Sequence, residues 1–164
     1  MAIKGHKINE IPTDMLVLQK LRVIIQTAHN HSNMIKKKTG VSGAQLWLLQ
    51  EVFDGAGIKV GDVAKKMSLK STTVSNLIEI LVNLGFLERF KDTKDQRIVR
   101  LKLTVKGTNL VRKAPKPTRG FLPDSLKLLS KNELKELDKS LDHLIEKITR
   151  LDSKLAMEPL PFTV

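Results

Sequence analysis

Residues 74–103 read VSNLIEILVNLGFLERFKDTKDQRIVRLKL, and the repeat of apolar positions changes within them. Up to position 84, Val74, Leu77, Ile78, Leu81 and Leu84 recur at steps of three and four, the spacing of one buried helix face. Gly85 then stands where a left-handed helix cap is wanted. Beyond it the period falls to two. Phe86, Glu88 and Phe90 alternate with Leu87, Arg89 and Lys91, and Val99, Leu101 and Leu103 alternate with Ile98, Arg100 and Lys102. Two antiparallel strands joined by the charged tip DTKDQR, residues 92–97, make a hairpin that follows directly on a helix.

Upstream, GDVAKKM predicts a short helix over about 61–67, separated by a tight turn from the longer helix at Ser71 to Leu84. Val63, Ala64 and Met67 would share one core with the second helix, and Ala64 is small enough to let the two axes cross closely in a helix-turn-helix. IKV, residues 58–60, reads as a short extended piece. Before it, Ser42 and Gln45 have capping-box spacing and open a helix whose Leu46, Leu49, Val52 and Phe53 are expected to face the core. Earlier still, Leu18, Leu21, Ile25, Ala28, Ser32 and Ile35 trace one seam along a long helix from Thr13 to about Lys38, with Thr13 or Asp14 as its cap and Thr39-Gly40 as its end. Downstream, TVKGTNLVRKA reads as helical until APKPTRGFLP, where three prolines and a glycine forbid a continuous helix and mark a connector. A second capping box, Ser130 with Glu133, starts a helix whose seam runs through Leu134, Leu137, Leu141, Leu144, Ile148 and Leu151.

The expected fold is therefore mainly α with a small β-hairpin, a winged helix-turn-helix flanked by N- and C-terminal dimerisation helices. Residues 1–40 form the N-terminal helix of the dimerisation region, 41–113 the winged lobe, and 114–164 the connector and C-terminal helix. Two apolar seams at opposite ends of the chain either pack on each other within one subunit or intertwine with a second copy; a homodimer is the preferred reading.

Composition narrows the function. With no cysteine, disulfides, thiolate metal sites and thiol redox sensing are excluded. No stretch has the length of a signal peptide core or of a membrane-spanning helix, so a cytoplasmic protein without a membrane partner is expected. Gly55 and Gly57 lack the third glycine and the preceding strand of a phosphate-binding loop. His29 and His31 are two apart and so point about 200° apart on a helix, which precludes joint metal ligation from one face. No carboxylate pair has a suggestive spacing. Neither catalysis, a cofactor nor a metal is indicated.

The chain carries 29 Lys and Arg against 17 Asp and Glu, a net +12. Of this, a net +8 falls between Lys59 and Lys113, in the helix-turn-helix and hairpin. That placement points to a polyanion, with double-stranded DNA first. Once the apolar stripe of the second helix is buried, Ser71, Thr72, Ser75, Asn76 and Glu79 face outward with Thr73 on the flank. Short hydroxyl and amide side chains at a helix N-terminus approach phosphates and base edges closely, aided by the helix dipole. Ordinary capping explains one hydroxyl there, less easily four. Asn76 is the best base-reading candidate, since an amide can both donate to and accept from adenine. Lys94 and Arg97 at the hairpin tip are the cations for a neighbouring minor groove. Asp92 and Asp95 are expected to pair with Arg97 or Lys94 and shape the turn. Lys65, Lys66, Lys70, Arg89 and Arg100 complete the set as phosphate contacts. RNA reading, which leans on exposed aromatics, is disfavoured by the 4% aromatic content. The alternative reading is a winged-helix module that binds a protein and no DNA.

At these residues the chain resembles the MarR family, the multiple antibiotic resistance regulators of bacteria and archaea. The resemblance covers nearly the whole order of elements and is sharpest over LVNLGFLER, the wing and LTVKG. The family's common wing pattern, D-x-R-D-x-R, is here Asp92, Lys94, Asp95 and Arg97, with a lysine that keeps the first arginine's charge but not its planar fork. The proline-rich connector also departs from relatives that run one continuous helix there. The resemblance implies a homodimeric transcription regulator, usually a repressor, on a near-palindromic operator. It also implies release by a small aromatic or phenolic effector between dimer arm and DNA-binding lobe. Trp47, Met34 and Phe53 are candidates to line that cleft, although apolar residues at helical spacing read equally as plain core.

Overall fold

A computed structural model of the chain describes residues 11–148 and 152–163. Its elements follow the order α1 (Thr13–Thr39), α2 (Gly43–Asp54), α3 (Val60–Met67), α4 (Ser71–Asn83), β1 (Leu87–Lys91), β2 (Val99–Leu103), α5 (Val105–Lys113), α6 (Phe121–Leu126) and α7 (Lys131–Glu146), with two short 3-10 turns at Ser153–Met157 and Pro161–Thr163. The mainly helical winged helix-turn-helix expected from the sequence is the fold observed.

Local chemistry sets most boundaries. The Ser42 and Ser130 capping boxes both form, with Gln45 and Glu133 side chains bonding back to the cap N–H groups. Gly40 and Gly85 take left-handed φ values of 74° and 72°, which end α1 and turn the chain out of α4. At the start of α1 the expectation fails: Pro12 occupies the cap position, and no side chain, Thr13 or Asp14 included, caps the helix. Leu84 is the C-terminal cap of α4 and is exposed, so it is not part of the core stripe.

The core gathers around α2, which packs against α1, α3, α4, α5 and β2. Being covered from several sides, α2 buries residues around most of its circumference, including Leu46, Leu48, Leu49 and Val52, and even Gln50 and Glu51. A one-face helical reading therefore misplaces Phe53, which is exposed and lies with the Arg112 guanidinium 6.0 Å from its ring centre. Val63, Ala64 and Met67 of α3 meet Val74, Leu77, Ile78 and Leu81 of α4 in the same core, as the spacing predicts.

The wing is anchored at its base. β1 and β2 pair from Leu87↔Leu103 to Lys91↔Val99, and only Leu87 and Leu101 of the ladder are buried. Lys59 bridges to Arg100 as a third, single-residue pairing, and the Leu101 N–H donates to the Ile58 carbonyl at 3.0 Å. Of the extended piece expected at 58–60, Ile58 and Lys59 tie the wing to α3, while Val60 already begins that helix.

Outside this lobe the apolar surface is uncovered. Every residue of α7 is exposed, the seam residues Leu134, Leu137, Leu141 and Leu144 included, so α1 does not cover that seam within the subunit. Leu151, expected to continue the seam, lies outside the described residues. On α1, Ala28, Ser32 and Ile35 are buried, whereas Ile25 and the neighbouring Val23 and Ile24 are exposed.

Candidate nucleic-acid interface

A cleft of about 550 Å³ opens between the helix-turn-helix and the wing. Its lining includes Lys65 from α3, Ser75 from α4, Arg89 from β1 and Arg97 from the wing tip. The turn between α3 and α4 sets this up: Ser68 takes a left-handed φ of 53°, and the Leu69 N–H donates back to the Ala64 carbonyl at 3.1 Å. Gly85, with a left-handed φ of 72°, then turns the chain out of α4 into the hairpin, whose first strand packs against that helix.

The exposed face of α4 carries Ser71, Thr72, Ser75, Asn76 and Glu79, with Thr73 half-buried, and continues through Ile80 and Asn83. The cap residue is Lys70, and no side chain caps the helix, so capping consumes none of the four hydroxyls. Thr73 is used otherwise: its hydroxyl donates to Glu158 at 2.9 Å.

The candidate cations divide into two groups. Among the described residues, Lys65, Arg89, Lys94 and Arg97 are exposed and held in no ion pair. Lys66, Lys70 and Arg100 are engaged within the subunit. Lys66 lies 3.6 Å from the Glu51 carboxylate, and Lys70 lies 2.7 Å from Glu158. Arg100 is ion-paired with Asp92 and also donates to the Gly57 carbonyl at 2.7 Å.

This corrects the expected pairing at the wing. Asp92 bonds neither Lys94 nor Arg97 through their side chains; its partner is Arg100 on the opposite strand. Its other carboxylate oxygen accepts the Lys94 and Asp95 N–H groups at 2.8 and 3.1 Å. The Arg100 guanidinium, followed by those two N–H groups, lowers the Asp92 pKa to about 2. Asp95 accepts the Arg97 N–H at 3.0 Å. The acids therefore shape the turn through the backbone and leave both tip cations free.

A feature the sequence did not reveal joins the connector to α2. The buried Glu51 carboxylate accepts from Trp47 Nε1 at 3.0 Å and from Arg119 Nε at 2.6 Å, and Thr118 donates to Gln50 at 2.8 Å. No local pattern announces a pairing across 68 residues. Above it lies an apolar cavity of about 480 Å³ walled by α1, α2, α6 and the C-terminal segment. Of the three candidate lining residues, Trp47 lines it, whereas Met34 and Phe53 do not. His31 lines it too, with both imidazole nitrogens buried and unpartnered, and desolvation lowers its pKa.

An α3–turn–α4 pair followed by a hairpin whose base is in the core and whose tip is in solvent defines a winged helix-turn-helix protein. Residues 41–99 match the MarR family model, so the winged lobe of this chain is similar to that family. It is 24% identical to the HTH-type transcriptional regulator YsmB of Bacillus subtilis (strain 168), over 80% of this chain and 90% of that protein. It is 32% identical to the HTH-type transcriptional repressor MdtR of the same organism over 43% of this chain and 46% of that one. Among solved structures, the Staphylococcus aureus MepR–DNA complex superposes with a TM-score of 0.54 at 20% identity, covering 85% of this chain and 100% of that one. No helix among the described residues is long and apolar enough to cross a membrane.

Proposed function

We propose that this chain is a homodimeric, sequence-specific DNA-binding transcription regulator, acting as a repressor. The observation that carries the reading is the cleft in which Lys65, Ser75, Arg89 and Arg97 meet, because one convex duplex can then touch helix and wing together. In this reading α4 enters the major groove, with Asn76 and Ser75 at base edges and Ser71, Thr72 and Thr73 near phosphates. Lys94 and Arg97 reach the adjacent minor groove, and Lys65 and Arg89 neutralise phosphates. Lys66, Lys70 and Arg100 contribute only as far as their internal partners release them. The relatives' names support the class: MdtR is a transcriptional repressor, and MepR has been crystallised with DNA.

The exposed seam of α7, together with the exposed apolar residues of α1, supports a second copy as the partner, with residues 1–40 and 114–164 as the dimerisation region. Two α4 helices about 34 Å apart would then read successive major grooves on one face of the duplex. The apolar cavity suits a small aromatic effector stacked near Trp47.

The test is binding of native duplex, the matching single strand and RNA at a series of salt concentrations. Duplex should be preferred, and log affinity should fall with log salt by ~0.9 for each phosphate neutralised. Arg97→Ala should weaken binding by about tenfold or more without changing the melting temperature. A flat salt response, or Arg97→Ala binding like wild type, would remove the interface. Capture of a protein partner with no duplex binding would favour the protein-interaction alternative.

A further inference from the structure

The C-terminal strap, from Met157 to Thr163, runs back onto the start of the recognition helix α4. The Lys70 N–H donates to the Met157 carbonyl at 3.1 Å. Glu158 then spreads its two oxygens over two residues of α4, accepting from Lys70 Nζ at 2.7 Å and from the Thr73 hydroxyl at 2.9 Å. Glu158 and Pro159 also sit beside Asn76 and Leu77 in a shallow hollow of the helix surface. The far end of the strap is anchored elsewhere. Phe162 tilts against His29 of α1 with ring centres 5.4 Å apart, and Leu160 and Phe162 form part of the apolar cavity wall. Thr163 packs so close to α2 that a side chain on Gly43 would begin 3.6 Å from its Cβ.

We propose that this strap is an autoinhibitory element in which Glu158 occupies, on Lys70 and Thr73, the polar groups that a DNA phosphate would use. The proposal rests on the DNA-binding reading above. A carboxylate and a backbone phosphate compete for the same donors: an ammonium, a hydroxyl and the positive end of a helix. An exposed ion pair alone is weak. The anchor at Phe162 raises the effective concentration of Glu158 over Lys70, so the acid is returned to its partners whenever it lets go. DNA must displace it, and the repressor's affinity is set below what its cations would otherwise give. Glu158 also carries a lowered pKa, first through its bond from Lys70 and then from Thr73, so it stays charged at neutral pH.

The experiment compares operator affinity of the full chain with that of Glu158→Gln and Glu146→Gln. Both variants remove one negative charge, but Glu146 lies on the exposed α7, whereas Glu158 is the acid bonded to Lys70 and Thr73. E158Q should bind duplex more tightly than both other forms, by roughly two- to fivefold per protomer, as expected for releasing a half-exposed ion pair. The gain should shrink as salt rises and weakens the internal pair. Equal gains for E158Q and E146Q, or weaker binding by E158Q, would overturn the strap. If none of the three forms binds duplex, the DNA-binding reading itself falls and the strap with it. Wild type binding well with no extra gain for E158Q sinks the strap alone.

Discussion

Arg100 and Arg97 sit three residues apart on the same wing, yet their surroundings give them different work. Arg100 is half-buried between Asp92 and the Gly57 carbonyl, where it ties the tip turn to the loop before α3. Arg97 is exposed and unpaired, so its guanidinium can meet a phosphate without breaking a bond inside the protein. His31 presents a different residue-scale question, since it is half-buried with both ring nitrogens buried and without a hydrogen-bond partner beside the apolar cavity. Of the charged groups around it, Arg119 and Glu158 line the same cavity and His29 shares its helix, but desolvation alone sets the direction of the shift. The folded-state pKa lies below the ordinary 6.5, so the unfolded chain binds the proton more readily. Stability from this group is therefore complete above about pH 6.5 and declines as pH drops below it. The melting temperature of the wild type should fall between pH 7 and pH 5.5, and that of His31→Leu should fall less. The lowered carboxylates Asp92, Glu133 and Glu158 lose their contribution only under more acidic conditions, so the two windows separate.

Among the elements, α5 shows why a glycine sits inside a helix. The helix begins at the Thr104 cap, which accepts the Gly107 N–H at 3.0 Å and donates its hydroxyl proton to the Gly85 carbonyl at 2.8 Å. That clamp presses the first turn of α5 onto the Phe86 backbone, and a Cβ at Gly107 would stand 2.1 Å from the Phe86 carbonyl oxygen. Alanine ordinarily gains about 1 kcal/mol over glycine in a helix. Here that gain is outweighed, because both surfaces in collision are backbone and neither can rotate away. Gly107→Ala should destabilise the protein by about 3 kcal/mol, the upper end of overpacking costs, seen as a lower urea midpoint. The sequence predicts a helix over TVKGTNLVRKA, but its Thr104 cap and the reason for its glycine appear only once α5 and the wing base are in contact.

On the scale of the whole molecule, the unresolved demand is the apolar surface of α7 and α1. A helix with a continuous leucine seam gains little from standing in water, and in the proposed homodimer its burial against a second copy would meet that demand. Leu141→Glu should leave the fold intact, since Leu141 is exposed within the subunit, while shifting the protein from dimer to monomer in sedimentation. Operator affinity should then drop by ~100-fold or more as the avidity of two linked half-sites is lost. A Leu141→Glu protein that stays dimeric would place the interface elsewhere.

The sequence by itself determined the helices other than α6, which forms at Phe121–Leu126 where only a connector was expected, together with both capping boxes, the Gly85 turn and the hairpin, because each of these is governed by forces between residues at most four apart or by an alternation of period two. It also determined which face of α4 is exposed, since a single buried stripe leaves the rest outward. The tertiary structure alone decided that α2 is covered from several sides, and that Phe53 and Leu84 are left exposed. It alone decided which cations are free: Lys70 is paired with a glutamate 88 residues away, and Arg100 with an aspartate across the hairpin. Ion-pair partners of that kind depend on where distant segments cross after folding, and one-dimensional spacing carries no record of those crossings.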